Sequence, residues 1–325
     1  MSNTDTAARQ LDRLRVAVVG AGAIGGVLGA RLQHAGHDVT FIARGATLAA
    51  LQTRGLVLES VDGDLTLPVV QVTDDPDTVG VVDVVLVCVK ATQIASLASS
   101  LRPLVGPATA VIPVQNGVEA SELLAAVLGD GNVLEGLGRV LVEQVEPGHI
   151  RHTAVTPIVE FGRRAGAPLQ SAAYAQIARF AAALRGAGLI AVLPDDMGVA
   201  LWEKFLFIEP IGAVGAAARV PFGIVRSVPE SRALIDAALY EVRNVGQAVG
   251  VAWPTDTIDR VWARYDSLPP DGSTSLQRDL MAERPSEFEA QIGAVVRIGR
   301  AHSVPTPVHD VLYGVLLPAV QRAIH

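Results

Sequence analysis

The first place in this 325-residue chain where residue types and spacing imply chemistry is Gly20-Ala21-Gly22-Ala23-Ile24-Gly25. The turn follows the apolar run RVAVV and opens a helical pattern. Backbone amides at such a helix start, with the helix dipole behind them, form a receptor for a pyrophosphate. Glycines at this spacing give a tight turn, close backbone approach to the ligand and close strand–helix packing. Gly20, Gly22, Ala23, Ile24 and Gly25 are therefore candidate cofactor-binding residues, weighed against a glycine-rich turn that holds nothing. At the end of the second β-branched run stands Ile42-Ala43-Arg44-Gly45, where an NAD-binding chain usually places Asp or Glu against the ribose hydroxyls. Arg44 suits a 2′-phosphate through a charge-assisted hydrogen bond, which favours NADPH/NADP over NADH. The competing reading is a solvated loop arginine. Lys90 ends the run VCVK, on the side of a parallel sheet where ligands bind, and reads as a cofactor contact or an exposed strand-end lysine.

Other residues are chemically suggestive but locally ambiguous. Lys204 lies in LWEKFLFI, an otherwise apolar helix. Pointed inward it needs a partner, whereas a lysine that snorkels to solvent needs none. Glu203 beside it projects in another direction and is a poor partner. Ser286-x-x-Glu289 after Pro285 reads as a capping box, which puts Glu287 in a first helical turn where the dipole alone favours an acid. Asn116-Gly117 is either a turn dipeptide or a site residue with its glycine. No CxxC, HExxH, GxSxG or P-loop pattern occurs, and the histidines form no metal set, so no metal residue is assigned.

These residues need elements to hold them. From Arg15 to about Gly117, RVAVVG, DVTFIAR, VDVVLVCVK and TAVIPVQNG read as strands too apolar to have a wet face. Ile24–His34 and Ser96–Leu104 read as crossover helices. The progression predicts an α/β fold, a Rossmann-type doubly wound parallel sheet. Segments at Gly138–Gln144, His149–His152 and Ile158–Gly162 read as strands that extend the sheet edge in antiparallel fashion. A helix over Gln170–Arg185 and a short strand near Leu189–Leu193 follow. Beyond Pro194 only helical patterns remain: Gly198–Ala217, Ser231–Val249, Thr255–Ser267, Thr274–Ala282, Ser286–His302 and Val308–Ala323. The expected organisation is a disordered tail over 1–14, an NADP-binding domain over 15–194 and an all-α domain over 195–325.

Composition narrows the class. Half the residues are hydrophobic and net charge is −7 with no basic run, which argues against nucleic acid and anionic membrane as partners. The single cysteine, Cys88, sits in an apolar stretch and reads as a structural thiol, in keeping with a cytoplasmic setting. The apolar run Phe205–Val225 carries Glu209, Pro210, Arg219 and Pro221, so it reads as a broken buried helix and not a membrane span.

Taken together, GAGAIGG at 20–26, Arg44, VKATQ at 89–93, QNG at 115–117, LWEKF at 201–205, STSLQRD at 273–279 and RPSEFEAQ at 284–291 resemble the ketopantoate reductase (2-dehydropantoate 2-reductase) family. The resemblance spans nearly the whole chain after the tail. It implies NADPH-dependent reduction of a 2-keto acid to a 2-hydroxy acid, ketopantoate to pantoate, in pantothenate and coenzyme A biosynthesis. By resemblance Lys204 is the catalytic lysine, and Glu287 orients the substrate hydroxyl and that lysine. Asn116 serves catalysis and the cofactor, Ser275 meets the substrate carboxylate, and a homodimer is the assembly considered. Closure of the two domains over the cofactor is expected. The chain departs from the family pattern where asparagines are common: Ile208 and Gly212, on the Lys204 face of its helix, and Ile292. Ile208 and Gly212 are thus read as substrate-pocket positions that have become apolar. The departures keep two alternatives open, a reductase of a less polar 2-keto compound or imine, and a non-catalytic NADP-binding sensor.

Overall fold

The computed structural model describes residues 13–168 and 170–322. Most of the expected tail lies outside the described residues, but Leu14 does not belong to a tail: it is fully buried in the first core. The chain divides into two compact units. One comprises residues up to Gln115 together with Ala120–Met197, the other Asn116–Glu119 together with Gly198–His325.

The first unit is built on a five-stranded sheet in which every neighbouring pair is parallel. Its strands are β1 (Arg15–Val19), β2 (Asp38–Ile42), β5 (Gln71–Thr73), β6 (Val84–Val87) and β7 (Ala110–Pro113), in the order β5-β2-β1-β6-β7. Alternate residues serve opposite faces, as the two-residue period of a strand requires. Val16, Val18, Leu86 and Ile112 enter one core, while Ala17, Val19, Val85, Val87 and Val111 enter another. The doubly wound parallel sheet expected from these unbroken apolar runs is what forms.

Helix α1 (Ala23–His34) crosses from β1 to β2, and α2 (Gly45–Arg54) leads from β2 to β3 (Leu56–Ser60). The predicted helix over Ser96–Leu104 is instead one α-helical turn, α3 (Ile94–Leu97), between two 3₁₀ segments, Ala91–Gln93 and Ala98–Leu104, the second containing Pro103. Proline supplies no amide to an α-helical ladder, so no long α-helix runs through this segment. Helix α4 (Ala120–Leu128) follows β7.

Segments β3, β4 (Leu65–Leu67), β9 (Val142–Glu146) and β10 (His149–His152) make a separate four-stranded sheet, ordered β4-β3-β10-β9. A third sheet contains β8 (Glu135–Arg139), β11 (Ile158–Gly162) and β12 (Ile190–Val192), and a single parallel bridge, Val111 to Val133, joins its approach to β7. The single strand expected over Gly138–Gln144 is therefore two strands in different sheets. Only β8 and β11 continue from the edge of the parallel sheet. Helix α5 (Ala175–Gly186), after a 3₁₀ turn at Ala172–Tyr174, starts later than the pattern suggested.

The second unit is helical: α6 (Met197–Ala218), α7 (Phe222–Ser227), α8 (Pro229–Ala248), α9 (Thr257–Ser267), α10 (Ser275–Met281), α11 (Ile292–Ala301) and α12 (Pro307–Arg322). The expected break falls at Arg219–Pro221, where Arg219 takes a left-handed φ of 58°. Among the described residues no helix is long and apolar enough to cross a membrane.

Helix α6 carries two liabilities that the unit compensates. Pro210 cannot donate to the carbonyls one turn earlier. The buried Tyr265 hydroxyl takes over that role, donating to the Phe207 carbonyl at 2.8 Å and lying 3.4 Å from that of Leu206. Glu209 is fully buried next to it. Its Oε2 meets His309 Nε2 at 2.8 Å, while His309 Nδ1 meets Glu241 Oε2 at 2.6 Å. Glu241 also accepts the amides of Val308 and His309, at 2.8 and 3.0 Å, so it caps α12 as well as holding the ring.

Burial alone would lower the His309 pKa, but the two carboxylates outweigh it and push it up to about 9. The folded-state value lies above the ordinary histidine value of 6.5, so this contribution to stability is full below about pH 6.5 and disappears as pH rises through about 9. Denaturant midpoints are expected to fall between pH 7 and 10 by an amount equivalent to as much as roughly 3 kcal/mol. His309→Gln should remove most of that slope; an unchanged slope in the variant would refute the assignment.

Candidate active site

The three glycines of the turn do different work. Gly20 has φ +95°, and a Cβ there would stand 2.8 Å from the Val89 backbone nitrogen. Gly25 packs helix on turn, since a Cβ would lie 2.0 Å from the Gly20 carbonyl. Gly22 caps α1, its carbonyl accepting from the Gly26 amide at 2.7 Å. A Cβ on Gly22 would meet only one atom within 4 Å, Gln144 Oε1 at 3.9 Å. The turn is thus filled by protein behind Gly20 and Gly25 and open above Gly22, which is where a phosphate has to approach. The following amides, Ala23, Ile24 and Gly25, are the donors a helix start leaves unsatisfied.

A cavity of about 280 Å³ opens from this turn, lined by Gly20, Ala21, Gly22 and Arg44 and also by Thr47, Gln93, Ser96 and Ser100. None of its lining residues is acidic. Arg44 precedes α2 in extended conformation, is exposed, and spends its side chain on no helix cap. The four hydroxyl and amide residues were missed in the sequence because each lies in an ordinary helical or turn context. The one available signal was Thr47, which lies three residues beyond Arg44 in the first turn of α2. Lys90 stands exposed just past β6, capping the 3₁₀ turn through its backbone amide, which donates to Gln93 Oε1 at 3.3 Å. It is not among the residues that line the cavity. Cys88 abuts the turn at Gly25, and burial pushes its thiol well up, as suits a structural residue.

In the helical unit, Asn116 Nδ2 donates to Glu287 Oε2 at 2.9 Å, across 171 positions of sequence. Next to Asn116, Gly117 has φ +103°, and a Cβ there would come within 2.7 Å of the Ala290 carbonyl. The asparagine–glycine pair is therefore a bend that presses against the segment bearing Glu287. The capping box expected at Ser286 does not form. Helix α11 begins only at Ile292, and the Ser286 hydroxyl is buried without a hydrogen-bond partner. Glu287 sits on a non-helical turn, so the helix dipole does not account for it.

Lys204 retains 7% exposure, which rules out the snorkelling reading. Glu203 pairs with Arg260 at 2.8 Å, as its different direction on the helix required. Ser275 is exposed at the start of α10, behind the Thr274 hydroxyl that caps the helix at Gln277.

Comparison with known proteins places this arrangement. The family model described as Ketopantoate reductase PanE/ApbA matches residues 16–166, and its C-terminal counterpart matches 196–319. The chain belongs to the ketopantoate reductase family. It is 30% identical to a 2-dehydropantoate 2-reductase of Mesorhizobium japonicum, over 96% of this chain and all of that protein. A crystal structure of 2-dehydropantoate 2-reductase from Geobacter metallireducens GS-15 superposes with TM-score 0.85 at 29% identity, over 94% of this chain and all of that one. The fold is also shared, at TM-score 0.84 but only 18% identity, with a D-mandelate dehydrogenase, over 95% of this chain and 99% of that one.

Within this ketopantoate reductase family member, the departures from the family pattern have distinct structural settings. Ile292 is fully buried in the helical core. Its side chain packs; it offers no pocket wall. Ile208 is half-buried, one turn after Lys204 on α6. Gly212 is covered: a Cβ there would lie 2.9 Å from Thr274 Oγ1 and 3.2 Å from its Cγ2. The α10 cap occupies the space that a longer residue at 212 would fill. On an unobstructed helix Gly→Ala is stabilising by about 1 kcal/mol. Here Gly212→Ala is expected to destabilise by roughly 1–3 kcal/mol through overpacking. Denaturation of the single variants and the Gly212→Ala/Thr274→Ala pair should show the double loss to be smaller than the sum; strict additivity would mean the two residues do not compete for space.

Proposed function

We propose that this chain is an NADPH-dependent reductase that converts ketopantoate to pantoate. The observation that carries the catalytic part is the Asn116–Glu287 hydrogen bond in the unit that also buries Lys204. A buried lysine, with two half-buried polar residues from separate segments bonded to each other in the same unit, is otherwise an expensive addition to a helical domain. On the cofactor side, an acid-free cavity with Arg44 at its rim, over a turn open above Gly22, fits a dinucleotide bearing a 2′-phosphate. Bound there, NADPH supplies the hydride that reduces the keto carbon.

The protein's residues do the rest. Negative charge develops on the carbonyl oxygen, and the Lys204 ammonium donates the proton that neutralises it. Placed general acids of this kind contribute roughly 10²–10⁴-fold. Glu287, fixed by the Asn116 amide, orients the substrate hydroxyl and the lysine, and Ser275 receives the carboxylate. Gly20, Gly22, Ala23, Ile24 and Gly25 hold the pyrophosphate, with Lys90 and Asn116 as further cofactor contacts. A homodimer in the cytoplasm completes this reading.

Ile208 favours one alternative, a 2-keto substrate less polar than ketopantoate, because an aliphatic wall gives a substrate hydroxyl no partner. NADPH oxidation against a panel of 2-keto acids including ketopantoate separates the readings. Ketopantoate is expected to show the highest kcat/KM, with Lys204→Ala lowering kcat by roughly 10²–10⁴-fold. A preference for aliphatic keto acids selects the alternative, and cofactor binding without any turnover selects a sensor. Full activity in Lys204→Ala sinks the mechanism. Separately, Arg44→Glu should weaken NADPH binding by about tenfold or more while changing NADH far less; equal weakening refutes the phosphate assignment.

A further inference from the structure

Strand β9 places a polar residue where its sheet should be apolar. In the β9–β10 ladder Ile150 pairs with Gln144 and His152 with Val142. Paired residues present their side chains on the same face of a sheet. Ile150 points at α1, since a Cβ on Gly26 would stand 2.7 Å from it, and Val142 packs against the same core. The opposite face carries the ion ladder in which Arg151 donates to Glu59 at 2.7 Å and to Glu143 at 2.9 Å. Gln144 is thus on the α1-facing side, yet it is exposed, standing beside the start of that helix at Gly22. Among the described residues outside the turn itself, its Oε1 is the atom found within 4 Å of the position of a Gly22 Cβ, at 3.9 Å, just beyond the residues that line the cavity.

We infer that Gln144 is a further cofactor-binding residue, its side-chain amide donating to a pyrophosphate oxygen of the dinucleotide held over Gly22. This rests on the reading of the glycine turn as a dinucleotide site. The chemistry needed is modest. Half a turn about the last side-chain bond exchanges Oε1 for Nε2, and a primary amide donor to a phosphate oxygen is a charge-assisted hydrogen bond. The helix amides approach the phosphate from one side only; Gln144 reaches it from a different sheet. An acid at 144 would instead put a negative charge against the pyrophosphate.

The test uses the whole protein and two probes, NADPH and 2′-AMP, which carries the 2′-phosphate but no pyrophosphate. Gln144→Ala is expected to weaken NADPH binding by about tenfold, and Gln144→Glu by more, with 2′-AMP affinity unchanged in both. Unchanged NADPH affinity in both variants overturns the inference. Equal weakening of 2′-AMP also overturns it, since the effect would then be a distortion of the whole cavity. If the unaltered protein binds neither probe, the dinucleotide reading itself fails, and the assignment of Gln144 falls with it.

Discussion

The first unit depends on a helix that has almost no side-chain volume where it is most crowded. Helix α1 lies between the parallel sheet and the four-stranded sheet, and it touches both through glycines. A Cβ on Gly26 would run into Ile150 of one sheet, and a Cβ on Gly29 would come within 2.4 Å of Phe41 of the other. The stretch from Gly25 to Ala30 is fully buried, and two sheets do the burying. The same close packing fixes where the helix begins, with Gly25 against the Gly20 carbonyl. A cofactor site made of backbone amides has no rotamers to adjust, so its precision comes from that packing. Structure and ligand chemistry share one set of glycines.

The second unit solves a different problem. Helix α6 is long and apolar, yet it carries Lys204, Glu209, Pro210 and three glycines, each of which is a defect in an ordinary core helix. Four of these residues have a specific answer. His309, itself held by Glu241, bonds and neutralises Glu209, Tyr265 serves the carbonyls that Pro210 leaves, and α10 packs into the spaces over Gly212 and Gly215. Glu209 Oε1 remains buried without a partner, so the network is costly as well as specific. These compensations lie between one and about three turns after Lys204. They fix the path of the helix on the C-terminal side of that residue.

Much of this was legible in the residues, and for identifiable reasons. Unbroken β-branched runs announced β1, β2, β6 and β7, because strands buried on both faces have no polar alternation to mislead. The glycine spacing announced the turn. Short strands failed: β3, β4 and β5 have three to five residues and partly wet faces, and the stretch from 138 to 144 concealed a change of sheet within one apolar-looking segment. Glu287 shows the limit of local rules. Ser286 and Glu289 have the spacing of a helix cap, but a tertiary hydrogen bond from Asn116 and the pressure of Gly117 on Ala290 keep the segment out of the helix. No sequence window contains both partners.

Substrate choice is where fold carries least information. A D-mandelate dehydrogenase has this fold at 18% identity, so the scaffold is compatible with more than one 2-keto acid chemistry. In this chain two of the three departures from the family pattern turn out to be packing matters: Ile292 belongs to the core, and Gly212 gives its space to Thr274. That shifts the weight of the specificity question onto Ile208, half-buried and one turn from Lys204. On the proposed reading an aliphatic group there removes a hydrogen-bond partner, and a missing partner discriminates less sharply than an unmet polar group in the site would. Ile208 then relaxes selectivity for a hydroxylated substrate more than it excludes one.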